Sequence, residues 1–469
     1  MGPEHRHGRQ ALPRRVVDRP ALSRALPDQP PESETAMTTS ESALTDGGVD
    51  PYDPTLQQCP VPTYHALRSS APVYYSKPAG VYIVTRYDLV EAVLRDTQTF
   101  SNNCPREDPP SQAMEQEIAG IRAEGWPHVP TLATQDPPLH SQYRAVVTPF
   151  FSPARIRAYE ARAKEVCDRL LDRLADRAVD FVTELAEPLP IQVTAELMSL
   201  DTSMTDTYRR WTKDATVAVG NHVEEQRRLE AERGLVEMQR YFHDRIEQAR
   251  RAPGSDFFSA LVEARITEGD RERPLSNEEM ISLSRQLFVG GIETTTKLLA
   301  EAVRVLAEEP ARYQELATDP EGIPRFVEEV LRLASPAQGI PRKVTTDTRL
   351  GDVPIPAGST VIIMYAAANR DPEFFEGPDD FDSGRPNVRR HLAFGKGTHF
   401  CLGAPISRME ARVVLDGLIQ RFQRLELVAG ANDFAYEPSF ILRGLTSLWV
   451  RLLSRTDEST EVPDHARRE

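Results

Sequence analysis

Apolar positions recur at helical spacing over most of the chain, and only four short stretches read as strands. These stretches form an early pair, Val73–Tyr75 and Val81–Thr85, and a late pair, Arg342–Thr348 and Ser359–Met364. No proline-rich or glycine-rich linker divides the region between them, and no repeat is evident. The pattern predicts a mostly helical single domain with a minor sheet built from distant segments.

The two ends of the chain lack this periodicity. Residues 1 to 50 are rich in Pro, Arg, Ser and Glu, and residues 455–469 form a charged tail. Both compositions predict disorder, which leaves residues 51–454 as the folded domain. Met37 opens a stretch that would serve equally well as a native start. We therefore expect the residues before Met37 to be removable without loss of folding or activity.

One predicted helix is unusually long. Ser276 and Glu279 have the capping-box pattern ahead of an apolar run, and no proline follows until Pro310. The helix could span about 33 residues, or about 50 Å. Its centre holds Gly290–Gly291 and Thr294–Thr296, although a glycine there costs about 1 kcal/mol relative to alanine. Such a centre indicates either a close helix–helix crossing or a functional site.

Charge and cysteine content exclude several classes of protein. The formal charge is −15, from 56 Lys and Arg against 71 Asp and Glu, which argues against a general nucleic-acid binder. No apolar run approaches the roughly 18–20 residues of a membrane span. The cysteines Cys59, Cys104, Cys167 and Cys401 form no CxxC pair. We interpret the first three as buried, inert thiols in a reducing cytosol.

Cys401 lies in a different setting, at the end of the glycine-rich stretch FGKGTHFCLG, residues 394–403. A helical pattern starts at about Leu402, so this thiol lies at a helix N-terminus, where backbone N–H groups favour a thiolate. Such a thiolate can bind iron, and glycines allow a flat macrocycle to approach the backbone. On physical grounds alone, a catalytic nucleophile fits this pattern as well.

The same ten residues resemble, at every fixed position, the FGxGxHxCxG haem-binding loop of the cytochrome P450 family. The resemblance extends from about Asp53 to Leu453. It implies the single-domain cytochrome P450 fold, with haem b (iron protoporphyrin IX) between the long helix and the cysteine-loop helix. Cys401 would be the thiolate ligand to iron. The loop residues expected to contact the haem are Phe394, Gly395, His399, Gly403 and Ala404.

The long helix matches a second family motif. Residues 290–294, GGIET, correspond to the family's (A/G)Gx(D/E)T. The resemblance implies that Thr294 holds water and dioxygen and that Glu293 feeds protons from solvent. It disfavours the alternative in which Thr294 only bonds back to its own helix.

A third motif, ExxR, implies a structural network. Glu329 and Arg332 are i, i+3 neighbours on a helix that begins near Pro324 and ends before Pro336. In the family, such a pair is buried with an arginine that precedes the haem loop, and Arg385 occupies that position. The resemblance implies that these three residues brace the cysteine loop.

Haem propionates require cationic partners, and the resemblance indicates four. His140 and Arg144 match the family's HxxxR after Asp136, Arg342 lies in the late strand, and His399 precedes Cys401 by two residues. We expect all four at the propionates.

The resemblance implies a monooxygenase that uses O2 and two electrons. Since no redox domain is fused to the chain, NAD(P)H would supply electrons through a separate ferredoxin or flavodoxin and its reductase. A basic patch of Lys396, Arg408, Arg389 and Arg390 would suit an acidic ferredoxin. The expected location is cytoplasmic, with no nucleic acid or membrane partner.

The expected substrate is a hydrophobic small molecule, because the family's pocket positions are largely apolar here. Besides the 101–135 loop they are Val289, Gly290, Gln338, Gly339, Ile340, Phe440 and Ile441. Two alternative functions stay open. One is a peroxide-driven enzyme on the same fold, and the other is a haem sensor or carrier without turnover.

Overall fold

The computed structural model of the protein describes residues 48–104 and 112–455. Met37 and nearly all of the two predicted disordered segments therefore lie outside the described residues. Within the described residues, none of the helices is both long and apolar enough to cross a membrane.

Helices form most of the described structure, as the periodicity predicts. In chain order they are α1 Pro54–Gln58, α2 Val61–Ser70, α3 Tyr87–Arg95, α4 Gln112–Arg122, α5 Leu139–Val147, α6 Pro153–Leu171, α7 Pro188–Leu197, α8 Thr205–Thr216, α9 Glu225–Arg251, α10 Phe257–Glu263, α11 Asn277–Glu308, α12 Pro310–Thr318, α13 Ile323–Ala334, α14 Tyr365–Ala368 and α15 Ala404–Arg421.

Short strands occur between them. They are β1 Val73–Ser76, β2 Val81–Val84, β3 Phe100–Ser101, β4 Ala178–Asp180, β5 Arg265–Glu268, β6 Arg271–Pro274, β7 Gly339–Val344, β8 Thr348–Leu350, β9 Val353–Ile355, β10 Thr360–Met364, β11 Phe422–Leu427 and β12 Trp449–Ser454. The main sheet has the order β1-β2-β10-β7-β3, in which β2 and β10 are parallel and the other pairs are antiparallel.

The mostly helical prediction and the joining of early to late strands are confirmed. Two details of the strands differ. The predicted strand Arg342–Thr348 is split, because β7 starts at Gly339 and ends at Val344, while Thr348 begins the separate β8–β9 hairpin. A second sheet, β11-β12-β4, was not predicted. Its strand β4 pairs with a segment about 270 residues later, which local patterns do not reveal.

The long helix α11 organises the core. Its capping box forms as predicted, with the Ser276 hydroxyl accepting from the Glu279 N–H and the Glu279 carboxylate accepting from the Ser276 N–H. The helix packs against α7, α9, α13 and α15. From Ile292 to Ala307 every residue except Thr294 is buried. A helix buried on all sides is fixed in position, so residues at its centre are rigidly placed relative to α15.

Candidate functional site

A cavity of about 1570 Å³, part of it open to solvent, lies between α11 and the loop that precedes α15. Gly290, Gly291 and Thr294 line one side, and Cys401 lines the other. It is more than three times the size of either of the two other cavities described below, of about 460 and 410 Å³. Its size suits a large bound group.

The loop before α15 presents Cys401 to the cavity. Gly395 and Gly397 adopt positive φ angles of 66° and 70°, which a side chain would strain. The Cys401 N–H donates to the Phe394 carbonyl at 2.9 Å and closes the loop. Arg144, from α5, donates to the Phe400 carbonyl at 2.9 Å. Both bonds hold the same peptide group, the one that joins Phe400 to Cys401.

The environment of the sulfur does not favour a thiolate on its own. Burial raises the pKa of the Cys401 thiol, and this effect outweighs the backbone N–H groups of Gly403 and Ala404 and the guanidiniums of Arg144 and Arg408, which lower it. The helix N-terminus therefore lowers the pKa of Cys401 by less than the sequence suggested. A metal cation bound at a thiol deprotonates it outright, so this sulfur suits a metal ligand better than a nucleophile.

The edge of the cavity carries the four predicted cationic residues, His140, Arg144, Arg342 and His399. The rings of His140 and His399 lie 4.1 Å apart. Within the described residues, Nδ1 of His140 is buried without a hydrogen-bond partner. Arg342 is 2% exposed, and burial lowers its pKa.

Neither Arg144 nor Arg342 makes an ion pair with a carboxylate of the described part of the chain. Arg342 is buried, whereas Arg144 is half-buried, and a buried cation without a directly paired carboxylate is costly. Two carboxylates of a bound group would supply that charge, so this edge fits the propionates of a haem.

The predicted network of Glu329, Arg332 and Arg385 is present and almost fully buried. Glu329 Oε1 and Oε2 each accept from Arg332 at 2.8 Å, and Oε1 also accepts from Arg385 Nε at 3.3 Å. The Asp382 N–H donates to the same carboxylate at 2.9 Å. One carboxylate thus serves two buried guanidiniums.

This network reaches the cysteine loop through Asn369. Arg332 donates to the Asn369 carbonyl at 2.8 Å, and the Asn369 side-chain oxygen accepts from the Leu392 N–H at 2.6 Å. Leu392 begins the segment that runs to Cys401. The contacts are those expected of a brace for the loop.

Glu293 and Thr294, predicted as a pair, line different cavities. Thr294 lines the large cavity, where its hydroxyl donates to the Gly290 carbonyl at 3.0 Å. The back-bond that the sequence disfavoured is therefore present. Glu293 lines a second cavity and accepts from Lys297 Nζ at 2.9 Å. Thr294 thus faces the large cavity and Glu293 does not, and the predicted role of Glu293 in feeding protons from solvent stays a prediction.

Some of the residues predicted to form the substrate pocket line the large cavity, and others do not. Gly290 and Ile340 line the large cavity, as do Asn102 and Leu132 of the 101–135 loop. The predicted residues that do not line it are Val289, Gln338, Gly339, Phe440 and Ile441, and the haem-loop residue Ala404 is likewise absent from its lining.

The misplaced residues have other contacts. Gln338 and Phe440 line a separate cavity of about 410 Å³. The Gln338 side chain donates to the Ala334 and Ser335 carbonyls and accepts from the Tyr64 hydroxyl. Its hydrogen bonds are thus used in holding the end of α13.

Sequence reasoning missed several residues that line the large cavity. They are Phe151, Val193, Thr194, Leu197, Gln286, Leu287, Gly291, Thr295, Tyr365, Ile406 and Ser407, among others. The signal for some was present, because Gln286, Gly290 and Thr294 form one i, i+4 row on α11. No sequence pattern marks Val193, Thr194 and Leu197 of α7 as cavity residues, because their approach to the cavity depends on tertiary packing.

Two of the four residues in the predicted basic patch are neutralised within the chain. Lys396 pairs with Glu91 at 2.6 Å, and Arg408 binds both oxygens of Glu328 at 2.6 and 2.9 Å. Arg389 and Arg390 are exposed. Lys396 and Arg408 thus already have carboxylate partners within the chain, and the docking role of the patch stays a prediction.

Comparisons with known proteins agree with this geometry. The family model described as Cytochrome P450 matches residues 323–440. The chain is 34% identical over 399 residues to 6-deoxyerythronolide B hydroxylase of Saccharopolyspora erythraea, an alignment covering 83% of this chain and 95% of that protein. It is 37% identical over 378 residues to Cytochrome P450 107B1 of the same organism, covering 79% and 89%.

A solved structure shares the fold. Cytochrome P450 CREJ in complex with (4-ethylphenyl) dihydrogen phosphate superposes with a TM-score of 0.79 at 29% identity. The match covers 87% of this chain and 99% of CREJ.

Proposed function

Because the chain belongs to the cytochrome P450 family of monooxygenases, we propose that it oxidises a hydrophobic small molecule with O2 and two electrons from a separate redox system. Family membership implies haem and the use of O2. The observation that carries the finer proposal is the large cavity, which has Cys401 on one side, Gly290 and Thr294 on the other, and cations at its edge.

We assign the haem to this cavity, where the Cys401 sulfur would bind its iron. When bound, the haem supplies the redox chemistry that activates O2. Arg144 and Arg342 would bind the propionates by charge-assisted hydrogen bonds. His140 and His399 would complete the same contact, because their rings line the cavity beside one another.

Thr294 is the proposed proton-donating hydroxyl of the large cavity. Its Oγ1 donates to the Gly290 carbonyl, so both of its lone pairs can accept hydrogen bonds from water. Reorientation of the hydroxyl hydrogen would pass a proton on to the reacting oxygen. Glu293 is the proposed source of that proton.

The lining of the cavity supports an apolar substrate. Its lining includes the apolar side chains of Leu132, Phe151, Val193, Leu197 and Leu287. One relative is a hydroxylase of 6-deoxyerythronolide B, and CREJ binds a 4-ethylphenyl phosphate. These two molecules differ widely, so we propose a hydrophobic small molecule and no single compound class.

The proposed electron donor is a ferredoxin or flavodoxin with an NAD(P)H-dependent reductase, in the cytoplasm. Arg389 and Arg390 are exposed in the segment that precedes the cysteine loop, and Phe400 is 41% exposed beside Cys401. Exposed cations suit an acidic partner. We propose these residues as the docking contacts in place of Lys396 and Arg408.

A reconstituted assay tests the proposed reaction. Compounds that shift the haem spin state in a library titration would be incubated with the haem-loaded protein, a plant-type ferredoxin, its reductase, NADPH and ¹⁸O2. We expect one ¹⁸O atom in the product and none with Cys401→Ser.

The same assay separates the alternatives. Equal rates with hydrogen peroxide alone would support the peroxide-driven enzyme. Failure of every spin-shifting compound to stimulate O2 consumption would support the haem sensor or carrier.

A further inference from the structure

Arg408 of α15 lies seven residues after Cys401, and its side chain is 32% exposed. Its guanidinium donates to both oxygens of Glu328, at 2.6 and 2.9 Å. Glu328 belongs to α13 and is buried. Two parallel hydrogen bonds fix the plane of a guanidinium as well as its position. Arg408 is therefore held in one orientation by a carboxylate of another helix.

His391 is the second partner of Glu328. Its ring is buried, and its Nε2 lies 3.0 Å from Glu328 Oε2. Its Nδ1 accepts from the Ala393 N–H at 3.2 Å. A ring nitrogen that accepts a hydrogen bond carries no proton, so this ring is neutral and its single proton is on Nε2, which donates to the carboxylate. We call Glu328, His391 and Arg408 the Glu328 cluster.

The Glu328 cluster contains one negative and one positive charge. Burial raises the pKa of Glu328, but the hydrogen bonds from His391 and Arg408 outweigh burial and hold that pKa at about 2. The carboxylate is therefore ionised at neutral pH. Removal of either charge would leave the other without its partner in a largely buried setting.

The positive charge of the cluster faces the cysteine loop. The Arg408 Cζ lies 4.5 Å from the centre of the Phe394 ring, a distance at which the ring attracts a cation. Phe394 lines the large cavity, and its carbonyl accepts from the Cys401 N–H at 2.9 Å. Burial raises the pKa of the Cys401 thiol, and Arg408 is among the groups that lower it. The electric field of Arg408 therefore reaches the sulfur.

We propose that Glu328 and His391 hold the positive charge of Arg408 over Phe394, where it favours reduction of the haem that Cys401 would bind. This inference rests on the proposed monooxygenase function and goes beyond it. The three members of the cluster are positioning residues, since they act on the iron through the cysteine loop.

The effect on reduction follows from the charges alone. The iron gains one electron from the external donor, and no bond forms or breaks. The added negative charge is stabilised by a nearby cation and destabilised by a nearby carboxylate. The balance between Arg408 and Glu328 therefore determines how readily the haem accepts the electron.

A purely structural tie between α13 and α15 is the alternative, and the two hypotheses differ in sign. If the pair only ties the helices together, Glu328→Gln and Arg408→Gln remove the same contact and change the protein in the same direction. If the charges matter, Glu328→Gln leaves the cation unopposed, whereas Arg408→Gln leaves the carboxylate unopposed. The two variants then have opposite effects on the reduction potential.

The test is a spectroelectrochemical titration of the haem-loaded protein at about pH 8, where histidine side chains are ordinarily neutral. We expect Glu328→Gln to raise the equilibrium constant for one-electron reduction by at least about 3-fold, and Arg408→Gln to lower it by as much. Each change equals about 28 mV, at 59 mV for a tenfold change. The double variant Glu328→Gln/Arg408→Gln should return to the wild-type potential. Arg408→Lys, which keeps the charge, should retain most of it.

Arg412 supplies a matched control, one helical turn further along α15. It pairs with Glu160 of α6 at 2.9 Å and is 38% exposed. We expect Arg412→Gln to leave the reduction potential unchanged. The proposal is overturned by unchanged potentials or shifts of the same sign in the two single variants, by a double variant displaced from the wild type, or by loss of haem from either single variant.

The C–O infrared stretch of the reduced carbon monoxide complex gives a second readout that needs no substrate and no redox partner. Electron density pushed onto the iron by a thiolate weakens the C–O bond. An unopposed cation near the sulfur draws that density back, so Glu328→Gln should raise the stretching frequency and Arg408→Gln should lower it. Equal frequencies in all proteins contradict the proposal. If the wild-type protein itself binds no haem, the proposed function fails, so the two failures are distinguishable.

Discussion

Replacing Glu329 by glutamine would test how strongly the buried network holds the cysteine loop. The change keeps the shape of the side chain but removes the one negative charge between Arg332 and Arg385. All five N–H groups of the Arg332 guanidinium are used, two of them on Glu329 and the others on the Asn369, Pro378 and Asp380 carbonyls. The arginine therefore cannot move out to solvent without losing these bonds.

The size of the effect follows from burial. Arg332 and Glu329 are both 0% exposed, and Arg385 is 4% exposed. Removing one partner from a buried pair costs about 3–5 kcal/mol, because the remaining charge stays buried without compensation. We expect Glu329→Gln to lower the free energy of unfolding by this amount. Haem should also be lost at lower temperature, since the network reaches Leu392 through Asn369.

Thermal denaturation followed at the haem absorption band and by far-ultraviolet circular dichroism measures both effects. Glu165→Gln is the matched control, because Glu165 pairs with Arg162 at i, i+3 but is 64% exposed. Exposed pairs contribute less than about 1 kcal/mol, so the control should resemble the wild type. If Glu329→Gln unfolds within about 1 kcal/mol of the wild type and retains its haem, the reasoning is wrong.

Three further predictions concern single residues. Thr294→Ala should lower product formation by about 10²-fold, the lower end of the effect of a positioned proton donor, and should divert electrons to hydrogen peroxide. The carbon monoxide spectrum should stay intact. Full coupling of electron consumption to product formation in this variant would contradict the role of Thr294. Arg342→Met removes a proposed charge-assisted hydrogen bond to a propionate, worth about 1.5–3 kcal/mol. Haem transfer to apomyoglobin should therefore be roughly 10- to 100-fold faster. An unchanged transfer rate would count against a contact between Arg342 and a propionate. Glu410 is fully buried, and burial raises its pKa well above 4.5. The wild type should therefore lose thermal stability as the pH rises above 4.5, and Glu410→Gln should lose less. Equal slopes of melting temperature against pH in the two proteins would refute the assignment.

Local signals in the sequence predicted some features closely. The helix expected to run from Ser276 to Pro310 spans Asn277–Glu308, because a capping box and a proline determine its two ends. The contact of Glu329 with Arg332 followed from i, i+3 spacing. The position of Cys401 beside a large cavity followed from the resemblance of residues 394–403 to the family's haem-binding loop.

Features that depend on tertiary packing were predicted less well. Ile340 and Arg342 alternate on one face of β7 and line the large cavity together, while Gly339 faces away. Glu293 belongs to the same i, i+4 row of α11 as Lys297, and a ribbon from the end of the chain covers that row. No sequence pattern near residue 293 predicts that Glu437 pairs with Lys297, because 144 residues separate positions 293 and 437. The two members of the predicted acid–alcohol pair, although adjacent in sequence, line two different cavities.

The central claim, that the Cys401 sulfur binds the haem iron, is tested most directly by the absorption spectrum of the purified protein after reduction under carbon monoxide. We expect the strongly red-shifted Soret band of thiolate ligation, and its loss in Cys401→Ser. A Soret band at the position typical of histidine ligation, or one that survives in Cys401→Ser, would contradict the assignment.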